Sequence, residues 1–240
     1  MLWPIVILLV SSYLIGGIPF GLIVARLKDV NIRAHGSGNY GATNVGRVLG
    51  RKWGVLVLLL DAAKGAFTSL AAAPVLRLMD VEVSQANLDW VWLGTGFACV
   101  LGNTAPIYLG FKGGKGVATS LGVILGIYPY LTYSALVALL MWIIVVLLTR
   151  FVSLASIAAA ASVPLAFVTW AVVLAWRLSD HYPLLGLTIA AALLVIFRHR
   201  TNIGRLLRGT ESRIGRETPL ANSVPRPNSE RSDHDRNVLS

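Results

Sequence analysis

Two glycine-rich segments of this sequence carry the residue types that bind phosphate. The first, at positions 34 to 47, reads AHGSGNYGATNVGR, and the second, at positions 110 to 119, reads GFKGGKGVAT. Glycines let backbone N–H groups approach an anion closely, and the basic side chains supply positive charge. We interpret both segments as phosphate-handling loops.

The first segment ends in an arginine. The planar fork of Arg47 suits bidentate contact with a phosphate, and Ser37 and Asn44 can add hydrogen bonds. Gly38 and Asn39 lie between them, so we include both in the candidate phosphate site. The alternative interpretation is a flexible connecting loop with no ligand.

The second segment directly precedes an apolar stretch with the pattern of a helix. Free N–H groups and the positive end of the helix dipole would meet Lys112 and Lys115 there, which favours an anion site. The loop is not a Walker A motif, because Gly116 stands where serine or threonine would follow the lysine. Lysines beside membrane helices are usually orientation anchors, but anchoring does not explain Gly113 and Gly114.

Two further basic segments lie nearer the C-terminus. Ser153 follows Arg150 at the start of an apolar run, where helix N-capping is the simpler role and contact with an oxyanion the alternative. Residues 197–213 combine several arginines with His199 and Asn202. An amphipathic basic helix on anionic lipid would explain the arginines but does not call for the histidine or the asparagine.

One pair of charges lies inside an apolar segment. Asp61 and Lys64 have the i,i+3 spacing that places them on one helix face, where they are expected to neutralise each other. We expect this pair to brace the neighbouring loop that contains Arg47, ahead of any direct role in catalysis.

The elements that position these loops are apolar segments of membrane-spanning length. Of 240 residues, 55% are hydrophobic and 13% charged, and uncharged runs of about 20 residues recur along the chain. The sequence predicts an all-α, polytopic membrane protein of about seven helices, with two short crossings or a re-entrant hairpin between Lys115 and Arg150. The predicted segments are 3–25, 53–76, 90–109, two within 115–150, 151–176 and 182–197.

The basic residues fall almost entirely on one side of this arrangement. Alternating the loops places eighteen lysines and arginines on one face and only Arg77 and Arg177 on the other. The positive-inside rule then predicts an N-terminus outside and a C-terminus in the cytoplasm. Membrane orientation therefore explains the basic residues behind the net charge of +10. We expect no nucleic-acid partner, because the sequence has no basic stripe with interleaved aromatics.

The membrane domain is predicted to cover residues 1–216. From 217 to 240 the chain turns to proline, serine, asparagine, aspartate and arginine, which cannot bury enough apolar surface to fold alone. We expect a disordered cytoplasmic tail there.

Four segments in order resemble the bacterial acyl-phosphate:glycerol-3-phosphate acyltransferase family, known as the PlsY family. They are GSGNYGATN at 36–44, GFKGGKGVAT at 110–119, RFVSL at 150–154 and RHRTNIGRLLRGTE at 198–211. The resemblance covers about residues 1 to 215. It implies a seven-helix enzyme that moves an acyl chain from acyl phosphate to the sn-1 hydroxyl of glycerol-3-phosphate, giving lysophosphatidic acid and inorganic phosphate. We expect it in the bacterial cytoplasmic membrane, and we expect no cofactor or metal.

The residues and the resemblance together define the candidate site. One departure is Asn103, where members of the family commonly carry histidine; an asparagine can hydrogen-bond but cannot act as a general base. The candidate catalytic residues are Ser37, Arg47, Lys115, His199 and Asn202. The candidate phosphate-binding residues are Gly38, Asn39, Asn44, Lys112, Gly113, Gly114, Ser153 and Arg205.

Other classes of protein remain as alternatives at this point. The His-x4-Asp pattern of other acyltransferases is absent, and only Asp61 lies within a span, so the clustered aspartates of a metal-dependent phosphotransferase are missing too. A transporter for anions or lipid phosphates is the main alternative, although its polar groups would be expected near the bilayer midplane. A noncatalytic scaffold is the third. The expected partners are glycerol-3-phosphate, acyl phosphate and membrane lipids.

Overall fold

The computed structural model describes residues 3–213, so the predicted tail at 217–240 lies outside the described residues. The described part is helical, with short 3-10 turns between some helices. Its α-helices are α1 Trp3–Gly17, α2 Phe20–Arg26, α3 Ala42–Val48, α4 Arg51–Leu78, α5 Gln85–Thr104, α6 Val117–Gly126, α7 Thr132–Thr149, α8 Val152–Val173, α9 Tyr182–Arg198 and α10 Arg200–Leu207.

Four helical segments between residues 3 and 213 are long and apolar enough to cross a membrane. They are α1 with α2, α4, α7 and α8; α9 with α10 would make a fifth, although that pair is bent by 56°. Helix occurs in every segment predicted from the sequence, but the count of seven crossings stays a prediction. The predicted 90–109 segment is shifted, since α5 begins at Gln85 and ends at Thr104.

The short apolar helix α6 lies between Lys115 and Arg150, where the sequence predicted two short crossings or a re-entrant hairpin. At about 1.5 Å per residue its ten residues cover about 15 Å, half of the hydrocarbon thickness. It packs closely against α4, because a Cβ on Gly122 would lie 1.9 Å from the carbonyl oxygen of Ala62. A Cβ on Gly65 of α4 would lie 2.3 Å from the carbonyl oxygen of Thr119 in the first turn of α6, so the same packing holds the end of the second glycine-rich segment.

The first glycine-rich segment is held by a small apolar core of its own. Ile32, Tyr40 and Val45 are buried against α2 and against Val57 of α4. The larger core joins α1 and α4 to α9, with Phe167, Leu184 and Leu187 among its fully buried side chains. Both polar loops therefore rest on packed helices at one end of the bundle.

Candidate active site

A carboxylate that our sequence analysis did not select joins four polar side chains from three parts of the chain. Glu211 Oε1 accepts hydrogen bonds from Ser153 Oγ at 2.8 Å and from Asn202 Nδ2 at 2.5 Å. Its Oε2 accepts from Arg205 Nε at 2.7 Å. Asn202 Oδ1 in turn accepts from Lys115 Nζ at 2.5 Å. We call Lys115, Ser153, Asn202, Arg205 and Glu211 the Glu211 cluster.

Four members of the cluster lie at or near helix ends, and Glu211 follows α10. Lys115 precedes α6, Ser153 lies in the first turn of α8, and Asn202 and Arg205 lie one turn apart on α10. The predicted N-cap role of Ser153 is wrong: α8 begins at Val152, Phe151 is the capping residue, and the serine hydroxyl is directed to Glu211. The alternative, contact of Ser153 with an oxyanion of a ligand, stays a prediction.

The cluster has an unusual charge balance. Burial and the nearby Arg205, Arg47 and Arg198 lower the pKa of Lys115 to about 8, against the opposing charge of Glu211. Burial alone would raise the pKa of Glu211, but its hydrogen bonds from Arg205, Asn202 and Ser153 outweigh burial and hold that pKa below its usual range. At neutral pH the cluster therefore carries two positive charges and one negative charge, which leaves a net attraction for an anion.

The second glycine-rich segment is fixed by its backbone groups. The Gly114 N–H donates to the carbonyl oxygen of Asn103 at 2.9 Å and to the hydroxyl of Tyr40 at 3.1 Å. The Arg198 guanidinium donates to the carbonyl oxygens of Gly113 and Gly114, both at 2.9 Å. A Cβ on Gly113 would lie 2.4 Å from the Asn103 carbonyl oxygen, so only glycine permits this approach.

Tyr40 and Arg198 were not among the predicted site residues. Burial raises the pKa of Tyr40 to about 12, so its phenol stays protonated and can donate a hydrogen bond, here to the Asn103 carbonyl oxygen at 3.4 Å. The aromatic ring in the first segment and the arginine next to His199 were the available signals for these residues.

Most polar groups of the first segment bond to the segment itself. Asn44 is 2% exposed, its Oδ1 accepts from the Ser37 N–H at 2.9 Å, and its Nδ2 donates to the His35 carbonyl oxygen at 3.0 Å. Asn39 Oδ1 accepts from the Gly41 N–H at 2.7 Å. Asn44 therefore shapes the loop, while the exposed Arg47 approaches it only at 3.5 Å and keeps most of its donors free for other partners.

His199 lies at the junction of α9 and α10 and is 2% exposed. Its Nδ1 is 2.7 Å from the Val195 carbonyl oxygen, so Nδ1 carries the proton and Nε2 is the unprotonated nitrogen. Burial, with the nearby charge of Lys115, lowers the pKa of His199 to about 4. The imidazole is therefore neutral at pH 7 and is a weak base.

A cavity of about 370 Å³ opens beside the glycine-rich segments. Four of its lining residues were predicted to bind phosphate: Gly38, Asn39, Lys112 and Gly113. Four others were not predicted: Arg33, Tyr40, Phe111 and Arg198. Three of the eight are cations and none is acidic, so the cavity also favours an anion.

The predicted residues thus fall into three neighbouring places. Lys115, Ser153, Asn202 and Arg205 meet in the Glu211 cluster, and Lys112 lies at the cavity. Ser37, Asn44 and Arg47 form the first segment, whose arginine is near enough for its charge to lower the pKa of Lys115. Gly114, bonded to Asn103 and Arg198, connects the cavity with the cluster.

The chain matches the family model described as Glycerol-3-phosphate acyltransferase over residues 6–209. Among similar proteins, the glycerol-3-phosphate acyltransferase of Geobacter sulfurreducens is 48% identical over 209 residues, which cover 87% of this chain and 96% of the relative. That of Aquifex aeolicus is 44% identical over 210 residues, covering 86% and 97%.

Two crystal structures have a similar fold. One is PlsY (YgiH), an integral membrane glycerol 3-phosphate acyltransferase, in its glycerol 3-phosphate form, with a TM-score of 0.73 and 43% identity over 88% of this chain and 96% of that chain. The lysophosphatidic acid form of PlsY gives a TM-score of 0.72 and 42% identity, covering 88% and 95%.

Proposed function

We propose a reaction for this chain, which belongs to the glycerol-3-phosphate acyltransferase family of integral membrane proteins. It transfers an acyl chain from acyl phosphate to the sn-1 hydroxyl of glycerol-3-phosphate. The products are lysophosphatidic acid and inorganic phosphate. The observation that carries this proposal is the Glu211 cluster, a partly buried, net positive group beside the cationic cavity.

Both substrates bear phosphate, and the two cationic places offer ligands for them. In this proposal Lys115 and the second Nδ2–H of Asn202 hold phosphate oxygens, and Arg205 contributes charge from the edge of the cluster. Ser153 joins them when its hydroxyl turns from Glu211 to the ligand. Arg47, Ser37 and Lys112 complete the binding surface with the backbone N–H groups of the two glycine-rich segments. Gly38, Asn39, Gly113 and Gly114 keep the backbone open to the ligand.

The reaction needs no covalent intermediate, because phosphate is already a good leaving group. The sn-1 hydroxyl oxygen attacks the acyl carbonyl carbon, the new ester C–O bond forms, and the bond from that carbon to the phosphate oxygen breaks. Phosphate departs with the electron pair. The basic side chains stabilise the negative charge that develops on the carbonyl and phosphate oxygens, and they align the two reactants.

The hydroxyl proton goes to a phosphate oxygen of the substrates in this proposal. The low pKa of His199 makes its imidazole a poor proton acceptor, whereas a phosphate dianion is a better one, because its conjugate acid has a pKa near 6. His199 then serves by filling its buried site and by hydrogen bonding through Nε2.

Replacing His199 with glutamine tests this division of roles. We expect turnover within about ten-fold of wild type, because an amide keeps a polar group in the site without acting as a base. Initial rates at saturating substrate measure the effect. A loss of about 100-fold or more in folded protein would instead assign the proton transfer to His199.

Orientation follows from the charge asymmetry. We place the N-terminus outside, the C-terminus in the cytoplasm and the active site at the cytoplasmic face of the bacterial inner membrane, because the basic loops lie together at one end. The acyl tail of the donor would lie along apolar helix surface while its head reaches the cationic loops.

The test of the function is direct transfer by purified, full-length protein. Palmitoyl phosphate and labelled glycerol-3-phosphate should give lysophosphatidic acid in detergent or bicelles, whereas palmitoyl-CoA should give none. Arg47→Ala should lower kcat/KM about ten-fold, since Arg47 is exposed and is one of several cations near the phosphates. Folded wild-type protein that forms no product would favour the alternative of an anion or lipid-phosphate transporter.

The lowered pKa of Lys115 predicts an alkaline limb in the pH profile. The free protein loses the Lys115 charge as pH rises through about 8, so the KM for glycerol-3-phosphate should rise above that pH and stay flat below it. Lys115→Arg keeps the charge, and its profile should stay flat to about pH 10. An unchanged alkaline limb in Lys115→Arg would assign it to another group.

A further inference from the structure

The charge pair inside α4 is bonded to elements well away from its own helix. Asp61 and Lys64 are 7% and 5% exposed, and Lys64 Nζ lies 2.6 Å from Asp61 Oδ1. The same ammonium donates to the Ile18 carbonyl oxygen and to Asn103 Oδ1, both at 2.9 Å. The ammonium thus forms an ion pair on α4 and donates hydrogen bonds to the break between α1 and α2 and to a residue near the end of α5.

Burying these two charges costs free energy of folding, and the packing of α4 does not require charged side chains at these positions. Charges in an apolar segment are expensive, and a buried pair can often be replaced by apolar side chains without loss of stability. Neither residue contacts a member of the Glu211 cluster, so the proposed chemistry does not use the pair directly. Any effect of the pair on the site must therefore pass through a neighbour, and Asn103 is the neighbour that leads to the second glycine-rich segment.

Asn103 connects Lys64 to the second glycine-rich segment. While its side chain accepts from Lys64, its carbonyl oxygen accepts from the Gly114 N–H at 2.9 Å and from the Tyr40 hydroxyl at 3.4 Å. The other side of Gly114 is held by Arg198. Gly114 directly precedes Lys115, so the position of Asn103 determines where the Lys115 side chain begins.

We propose that Lys64 is a positioning residue. Through Asn103 it fixes Gly114, and thereby the Lys115 ammonium, relative to the Glu211 cluster, while Asp61 neutralises its charge. The inference rests on the proposed function, since the phosphate contact of Lys115 is what this connection serves. The sequence also led us to expect that the pair braces the loop containing Arg47. Its connection reaches that loop through Asn103 and Tyr40, and the bracing role stays a prediction.

The first test removes both charges together in the full-length protein. Asp61→Leu/Lys64→Met should stay folded, with a melting temperature within about 5 °C of wild type, because it leaves no unpaired charge. We expect kcat/KM to fall at least about ten-fold because Lys115 is misplaced. Stabilisation of the protein by inorganic phosphate should also be lost. Ser69→Ala, which removes a buried polar group elsewhere on α4, is the control and should keep both properties.

The second test changes the acceptor. Leucine at position 103 cannot accept from Lys64, whereas an imidazole nitrogen can. Asn103→Leu should lower kcat/KM about as much as the double variant does, and Asn103→His should stay within about three-fold of wild type. When Asn103→Leu is combined with the double variant, kcat/KM should fall by less than about two-fold more. Coupling of this kind is not expected from general loss of stability.

Either of two results would overturn the positioning role. One is a folded double variant with wild-type kcat/KM and phosphate stabilisation. The other is a loss of kcat/KM in Asn103→Leu that adds fully to the loss in the double variant, which would mean that Asn103 and the charge pair act independently. If the double variant does not fold, the comparison of Asn103→Leu with Asn103→His decides. Failure of the proposed function is distinguishable, because wild type would then transfer no acyl chain while phosphate stabilisation still reports on Lys64.

Discussion

Lys115→Met should lower kcat/KM about 100- to 1,000-fold, the loss seen when one pre-positioned donor is removed from an oxyanion site. Lys115 is the innermost cation of the Glu211 cluster, tied to Asn202 at 2.5 Å. Its lowered pKa reports the burial that strengthens its attraction for a phosphate. Methionine keeps the length of the side chain and removes the charge, so the loss measures that charge.

The control for this variant is Lys52→Met. Lys52 is exposed at the start of α4 and lies beside Trp53, outside the cluster. We expect less than about two-fold change in kcat/KM, since an isolated surface charge contributes little. Initial rates with palmitoyl phosphate and glycerol-3-phosphate give both values. Equal losses in the two variants would show that overall charge, and not the position of Lys115, supports activity.

Local sequence was sufficient to find the loops because their chemistry is local. Glycines next to lysines before an apolar run predicted the start of α6, which begins at Val117, two residues after Lys115. The ion pair of Asp61 and Lys64 followed equally from helical spacing and is present at 2.6 Å. Both inferences required only the period of a helix and the cost of burying charge.

The partners of these residues could not be read from spacing. Glu211 stands 58 residues from Ser153 and 96 from Lys115, and an acidic side chain contradicts a simple search for phosphate ligands. Its role as the acceptor that orients them appears only when α6, α8 and α10 converge. Ser153 shows the same limit, because its position near a helix start predicted capping while the tertiary contact directs it to Glu211.

Prediction of the number of membrane crossings from the sequence is limited for a different physical reason. α4 and α7 have the length and apolar composition of a span, whereas α5 carries the buried Asp89 and Asn103, whose side chains bond to His181 and Lys64 on other helices or their ends. α6 is apolar yet only ten residues long. A hydropathy profile measures the apolar character of a segment but not the tertiary contacts around it. Span prediction from hydropathy is therefore least accurate for broken and half-length helices.

Glu211→Gln should lower kcat/KM about 100-fold in protein that is still folded. The amide oxygen can still accept from Ser153 and Asn202, but the new Nε2 faces the Arg205 Nε donor and the charge that pairs with it is gone. A loss of about 100-fold corresponds to about 2.7 kcal/mol of transition-state stabilisation. Stability should fall by about 1 to 3 kcal/mol, because the Glu211 side chain is only 7% exposed and the change removes a charged hydrogen-bond acceptor from a partly buried pair.

The pH profile separates this role of Glu211 from simple loosening of α10. The negative charge of Glu211 raises the pKa of Lys115, so its removal must lower that pKa and move the alkaline limb of KM from about pH 8 to lower pH. Glu82→Gln removes an exposed carboxylate elsewhere and should leave the limb in place. A Glu211→Gln profile with an unshifted limb would disprove the coupling, since a charge that holds Lys115 protonated cannot be removed without changing where Lys115 titrates.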